Sequence, residues 1–213
     1  MAPLGGYLAK HFKPKRIVQT GLVTNIVALL FLQQMISASG GTGGLILPLL
    51  IYGMGMGLVF SQVTNITLSA VSVNEAGEAS GVNNTLRQVG SSLGTAVVGT
   101  VLIAAIGTGL VKGVQTSNVI SDQHRPALVQ TVRAQASNIE FGLPLTGENI
   151  SAAEKTELKA ISNTSTVKGI RVALLLTATF TGLAYLLSFG LPSSDLHNLE
   201  KNESLAAKPP SAH

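Results

Sequence analysis

A chain of 213 residues that is 46% hydrophobic and 11% charged is too apolar for an ordinary soluble domain, in which about a quarter of residues are charged. The absence of cysteine excludes a disulfide framework, a thiolate nucleophile and any thiolate-ligated metal. A net charge of +4 and a pI near 9.5 would suit a nucleic-acid binder. The aromatic interleaving of a single-strand binder is missing, however, and four of the 14 basic residues fall in KHFKPKR (Lys10, Lys13, Lys15, Arg16), directly before an apolar stretch. That is where membrane proteins place cytoplasmic positive charge, so nucleic acid is excluded as a partner and the lipid bilayer takes its place.

In chain order, residues 1–16 form a basic cytoplasmic loop. No Asp, Glu, Lys or Arg then occurs until Glu75, a run long enough for two membrane spans and broken by SASGGTGG (Ser37–Gly44), which reads as a tight turn. A spanning helix needs about 20 largely apolar residues. Two further uncharged intervals, Arg87 to Lys112 and Arg171 to Asp195, supply one span each. The sequence thus predicts an all-α, polytopic membrane protein with four transmembrane helices at 17–36, 45–69, 84–107 and 170–191. A soluble bundle is the competing reading, but a soluble chain rarely carries four such stretches. A cleaved secretory signal is opposed by the length of the first apolar run, since signal cores span roughly 7–15 residues.

The N-terminal basic cluster places residue 1 inside, residues 70–83 in a cytoplasmic loop, residues 108–169 in a long extracytoplasmic loop and residues 192–213 in a disordered cytoplasmic tail. Both termini are then cytoplasmic. Lys168 and Arg171, beside the outer end of the fourth span, oppose this assignment. The long loop should carry helices of its own, because a structureless connection of that length is unusual. Ser151 with Glu154 forms a capping-box pattern. Pro126 with Leu128, Val132 and Ala136 gives an amphipathic period. The loop reads as a small solvated subdomain, with a substrate gate as the sharper alternative.

Motifs for catalysis fail on context, and no cofactor or metal is expected. The four histidines (His11, His124, His197, His213) are scattered without a second ligand at metal spacing. GSSLG at 90–94 matches a nucleophile-elbow pattern around Ser92 but lies inside a span, with no strand before it. GMGMG at 53–57 is no nucleotide fingerprint, for the same reason. Gly53, Gly57 and Ser61 instead recur every fourth residue as a helix-packing stripe. Pro48 in the same span suggests a kink. The sequon NIS (149–151) would matter only where secreted loops are glycosylated.

Residues 79–99, ASGVNNTLRQVGSSLGTAVVG, are the most informative stretch. At 100° per residue, Asn84, Arg87, Gln88, Ser91 and Thr95 share one helix face; Val82, Leu86, Val89, Leu93 and Val97 share the opposite face. Gly90 and Gly94 form a close-packing seam between them. A cation deep in a bilayer costs at least ~2.5 kcal/mol. Arg87 therefore either snorkels to the cytoplasmic interface or faces a protein interior or water-filled cavity with Asn84, Gln88 and Ser91. Glu75 and Glu78 are the nearest carboxylate partners in sequence.

GEASGVNNTLRQVGSSLGTAVVGTVL (77–102) closely resembles a stretch near the C-terminal end of the fourteen-span drug:proton antiporters, the EmrB/QacA-like multidrug efflux proteins of the major facilitator superfamily. The matching residues are Gly81, Asn84-Thr85, Arg87-Gln88, Gly90, Gly94 and Gly99-Thr100. Upstream, PLGGYLAKHFKPKR (3–16) resembles that superfamily's cytoplasmic loop motif through Gly6, Leu8, Lys15 and Arg16. Lys10 stands where the motif has an acid, and Lys13 where it has glycine. The resemblance implies the last four spans of such a transporter, exporting small hydrophobic or cationic drugs with protons as coupling ion. It also implies that the N-terminal half, which carries the acids assigned to proton coupling, is needed as partner. No acid lies in the four predicted spans, so the chain should not transport alone. The alternative is a stand-alone four-span protein with a structural or regulatory role, assembling with itself or with a full-length transporter. A membrane enzyme is disfavoured, since no reactive constellation lies at membrane depth.

Overall fold

The computed structural model describes residues 13–37, 42–134 and 151–191. The expected disordered tail, residues 38–41 of the turn at 37–44, and Gly6, Leu8, Lys10, Ala136 and Asn149 lie outside the described residues. Among the described residues the regular elements are helices: α1 (Pro14–Met35), α2 (Ile46–Ser69), α3 (Ala76–Thr116), α4 (Arg125–Ala134) and α5 (Ala152–Leu187), with short 3-10 turns at Thr42–Leu45, Val73–Glu75 and Ser188–Gly190. Segments containing α1, α2, α3 and α5 are each long and apolar enough to cross a membrane. The protein is a multi-pass, all-α membrane protein.

The described parts of the chain form two compact units, one from Met1–Ala28, Leu49–Val89 and Phe180–His213, the other from Leu29–Pro48 and Gly90–Thr179. In the first unit, α1 starts with Pro14, whose missing N–H is no loss in a first turn. It buries Ile17, Val18, Leu22 and Asn25, the 3.6-residue stripe of an amphipathic helix. That stripe meets α2 at a glycine pair. A Cβ on Gly21 would lie 2.9 Å from the Gly55 carbonyl oxygen, and one on Gly55 would lie 2.8 Å from the Gly21 carbonyl oxygen and collide with the Asn25 amide. The two backbones approach so closely only because neither residue has a side chain. At the head of α3, the Ser72 backbone N–H and hydroxyl both donate to Glu75 Oε2, at 3.2 and 2.8 Å, the reciprocal half of a capping box.

In the second unit, Pro48 is the third residue of α2. A first-turn N–H has no intrahelical acceptor, so this proline breaks no bond and requires no kink. The later part of α3 packs antiparallel on the earlier part of α5. A Cβ on Gly109 would meet Ser165 at 3.0 Å, Gly113 abuts Ile161, and Gly169 abuts Ile106. Ile106, Leu110 and Val132 form one apolar cluster; Val114, Ile120 and Leu158, with Leu128 and Val129, form another.

α1, α3 and α5 are longer than the spans the sequence predicts, whereas α2 follows its predicted span within a residue. α3 begins at Ala76 and runs to Thr116, and α5 begins at Ala152. Much of the expected loop 108–169 is therefore helix. The extensions exist because Leu110 is buried with Val132 and Ile161, and Val114 with Leu158 and Ile161, which stabilises helices more than propensity does. Threonine hydroxyls along the helices, such as Thr64, Thr67, Thr85 and Thr177, donate to the carbonyl four residues back. A hydroxyl satisfied within its own helix is tolerated in hydrocarbon.

Candidate functional site

Arg87 lies in the first part of α3. Its Nη2 donates to Asn84 Oδ1 at 3.1 Å, one turn back along the helix. Its guanidinium carbon stands 5.3 Å from the centre of the Phe60 ring of α2. Arg87 makes no ion pair among the described residues: Glu75 is occupied by Ser72, and Glu78 does not reach it. Magnitudes decide whether this is enough. A hydrogen bond to a charged group contributes about 1.5–3 kcal/mol and a cation–π contact about 0.5–2 kcal/mol. Together they are comparable to the ~2.5–3.5 kcal/mol insertion cost of an arginine at the middle of a membrane helix. Arg87 thus needs no carboxylate to be stable beside apolar surface.

Asn84, Arg87, Gln88 and Ser91 are all exposed, and so are Val82, Leu86, Val89, Leu93 and Val97 on the opposite face. Leu86, at 67% exposure, has no reason to face water, so this face is one for lipid or another protein surface. Gly53, Gly90 and Gly94 have nothing within 4 Å of an added Cβ, so the seam they form is open in this chain. Close approach occurs instead at Gly21, Gly55, Gly109, Gly113 and Gly169, which sequence spacing did not single out. Of the cytoplasmic loop motif, Lys15 Nζ donates to the Phe189 carbonyl at 2.8 Å, placing a cation on a helix C-terminus, where the dipole favours it. Arg16 is exposed at the start of α1.

Sequence reasoning also missed a polar knot among α3, α4 and α5. Glu154 accepts from the backbone N–H groups of Ser121 and Ser151, both at 3.0 Å, and its Oε1 lies 3.1 Å from His124 Nδ1. The Glu154 N–H returns a bond to Ser151 Oγ at 3.2 Å, so the predicted capping box is present. One turn on, Glu157 accepts from Ser117 Oγ at 3.0 Å. Arg125 donates to the carbonyls of Ser117 and Ile120 and pairs with Asp122 at 2.9 Å. Glu154 precedes the uncharged run that begins at Val172 by roughly 27 Å of helix, outside the membrane-spanning segment. The Ser121 N–H, then the Ser151 N–H and His124, hold its carboxyl down at about 2. The carboxylates and carbonyls of this cluster are taken up by donors of the cluster itself.

Residues 1–95 match the Major Facilitator Superfamily. That part of the chain is similar to the superfamily's proteins. Across 92% of its length the chain is 26% identical to the multidrug resistance protein Stp of Mycobacterium tuberculosis. Over 64% of its length it is 30% identical to a probable actinorhodin transporter of Streptomyces coelicolor, and over 50% it is 30% identical to the tetracenomycin C resistance and export protein of Streptomyces glaucescens. It spans 36%, 23% and 20% of those relatives' lengths, respectively. No solved structure matches. The major facilitator match covers α1, α2 and the part of α3 that carries Asn84, Arg87, Gln88 and Ser91, and it agrees with the family named from residues 77–102.

Proposed function

We propose that this chain works as the C-terminal part of a multidrug efflux transporter, exporting amphipathic or cationic compounds by proton antiport. Arg87, held by Asn84 and Phe60 without a carboxylate, carries the reading. A cation so supported is free to act on substrate or on a second domain in a water-filled cavity. Asn84, Gln88 and Ser91 line that cavity, and alternating access rocks this domain against an N-terminal one. Gly90 and Gly94 receive a helix of that domain. The relatives named for drug resistance and antibiotic export support the substrate class. The four apolar spans contain no acid, so the proton-coupling carboxylate belongs to the partner domain and the chain does not transport alone.

The test begins with native size. An antibody to residues 195–213 should detect, in membranes of the source cell, a band far heavier than 21.9 kDa. Arg87→Ala in that larger polypeptide should abolish or strongly reduce drug resistance while the protein stays in the membrane. Unchanged resistance would instead assign Arg87 to snorkelling. Drug transport driven by a pH gradient in liposomes holding only the 213-residue chain would overturn its dependence on a partner domain.

A further inference from the structure

Away from Arg87, α3 and α4 border an open cavity of about 650 Å³, within the roughly 300–1,000 Å³ of small-molecule sites. α3 supplies Thr100, Ile103, Thr108 and Val111; α4 supplies Val132 and Arg133. The wall is mostly apolar. Both threonine hydroxyls donate to their own helix, Thr100 to the Ala96 carbonyl and Thr108 to the Ala104 carbonyl, each at 2.8 Å. They offer a ligand no further donor. Arg133 is the charged group of the cavity. It stands exposed in the last turn of α4 and makes no hydrogen bond or ion pair among the described residues. Arg125 at the other end of the same short helix is bound by Ser117, Ile120 and Asp122, so on α4 the arginine without a partner among the described residues is the one beside the cavity.

We propose that this cavity binds an amphipathic acid. The apolar body lies against Ile103, Val111 and Val132, and its carboxylate, sulfonate or phosphate takes the fork of the Arg133 guanidinium. A guanidinium pairs bidentately with such groups, and beside apolar walls that attraction is screened less than in bulk water. The site selects by sign of charge: an equally apolar cation finds a wall it fits and a charge that repels it. A free amphipathic acid and an anionic lipid headgroup share this chemistry. The site is distinct from the Arg87 face and stands whether or not the chain transports.

The absence of cysteine makes the test direct. The Ile103→Cys chain, and separately the Thr108→Cys chain, are placed in phosphatidylcholine nanodiscs, and the rate of thiol modification by N-ethylmaleimide is measured. Dodecanoate should slow modification several-fold. Dodecyltrimethylammonium at equal concentration should not. Adding Arg133→Gln should remove the protection, and Arg133→Lys should keep most of it. A Leu186→Cys chain, modified away from the site, should be indifferent to dodecanoate. Replacing part of the phosphatidylcholine by phosphatidylglycerol separates the sources: protection by that lipid assigns a headgroup, and protection by dodecanoate alone assigns a free acid. Equal protection by the cation, protection that survives Arg133→Gln, or thiols at both positions that no reagent reaches would each overturn the proposal.

Discussion

Arg87 is held by an amide and an aromatic face, and the two supports respond differently to substitution. Lysine keeps the charge but not the planar guanidinium that stacks on Phe60. Arg87→Lys in the full transporter is therefore expected to lose ~1 kcal/mol, or about fivefold in apparent drug affinity. Phe60→Leu should cost a similar amount, and the double variant little more than either single one. Additive losses in a drug-binding titration would show that Phe60 does not support Arg87. Glu154 makes a different prediction, about pH. Its carboxyl is held at about 2 against an ordinary 4.5. A depressed carboxyl contributes stability that is fully present above about 4.5 and lost as pH falls from there towards 2. Protection factors against amide exchange at Ser121 and Leu158, taken relative to the intrinsic rate at each pH, should fall across that window. In Glu154→Gln they should be lower at neutral pH and should not fall further through the same window; a parent protection profile unchanged from pH 5 to pH 2 would remove Glu154 from the account. Arg87 stands out in the sequence, because a cation in an apolar run breaks a pattern. Phe60 was not, because nothing in a helical period says which residue of another helix will stand over a given side chain.

At the scale of the element, the spans were legible because lipid forbids charge over about 20 residues, and that prohibition leaves long gaps in the sequence. The ends of α3 and α5 were not. Residues 108–116 and 152–169 carry charges, which end a span without ending a helix, and only burial of Leu110, Val114 and Leu158 keeps them helical. Glycine spacing did not locate the contacts made within the chain. The four-residue repeat singled out Gly53, Gly90 and Gly94, whose surroundings are open, and passed over Gly21 and Gly55, which touch. The two sets should behave oppositely. Gly55→Val drives side-chain atoms into the Gly21 backbone, which cannot yield as a flexible side chain would. It should cost about 1–3 kcal/mol, read as earlier thermal unfolding of the chain in detergent. Gly90→Leu meets nothing in this chain and should leave that unfolding unchanged, while blocking close approach of a partner helix and so reducing recovery of the assembled transporter. Equal unfolding temperatures for Gly55→Val and the parent would dismiss the glycine crossing of α1 and α2.

For the whole molecule the open question is which way it sits in the bilayer, and two sets of basic residues compete to decide it. Lys10 and Lys13 precede α1 and Lys15 and Arg16 lie in its first turn; Lys168 and Arg171 lie just before the uncharged run of α5. Basic residues count in the positive-inside rule when they lie within about 15–20 residues of a span, so density alone favours the first set. The structure adds a physical reason. Arg171 donates to the Ile36 carbonyl at 2.8 Å, at the end of α1, where a helix dipole welcomes a cation. Its charge is partly taken up within the protein, and its pull on orientation is weakened. Lys15 is similarly occupied, by the Phe189 carbonyl, but Arg16 beside it is exposed, and the first set is the denser in sequence. The first set should therefore win, placing residues 1–16 and 70–75 inside and α4 outside. In the cysteine-free chain, single variants report this without background. A maleimide that cannot cross membranes, applied to intact cells, should modify Asp122→Cys and leave Lys13→Cys and Val73→Cys untouched until the cells are opened. The reverse pattern would mean that Lys168 and Arg171 set the orientation, and α4 with its cavity would then face the cytoplasm.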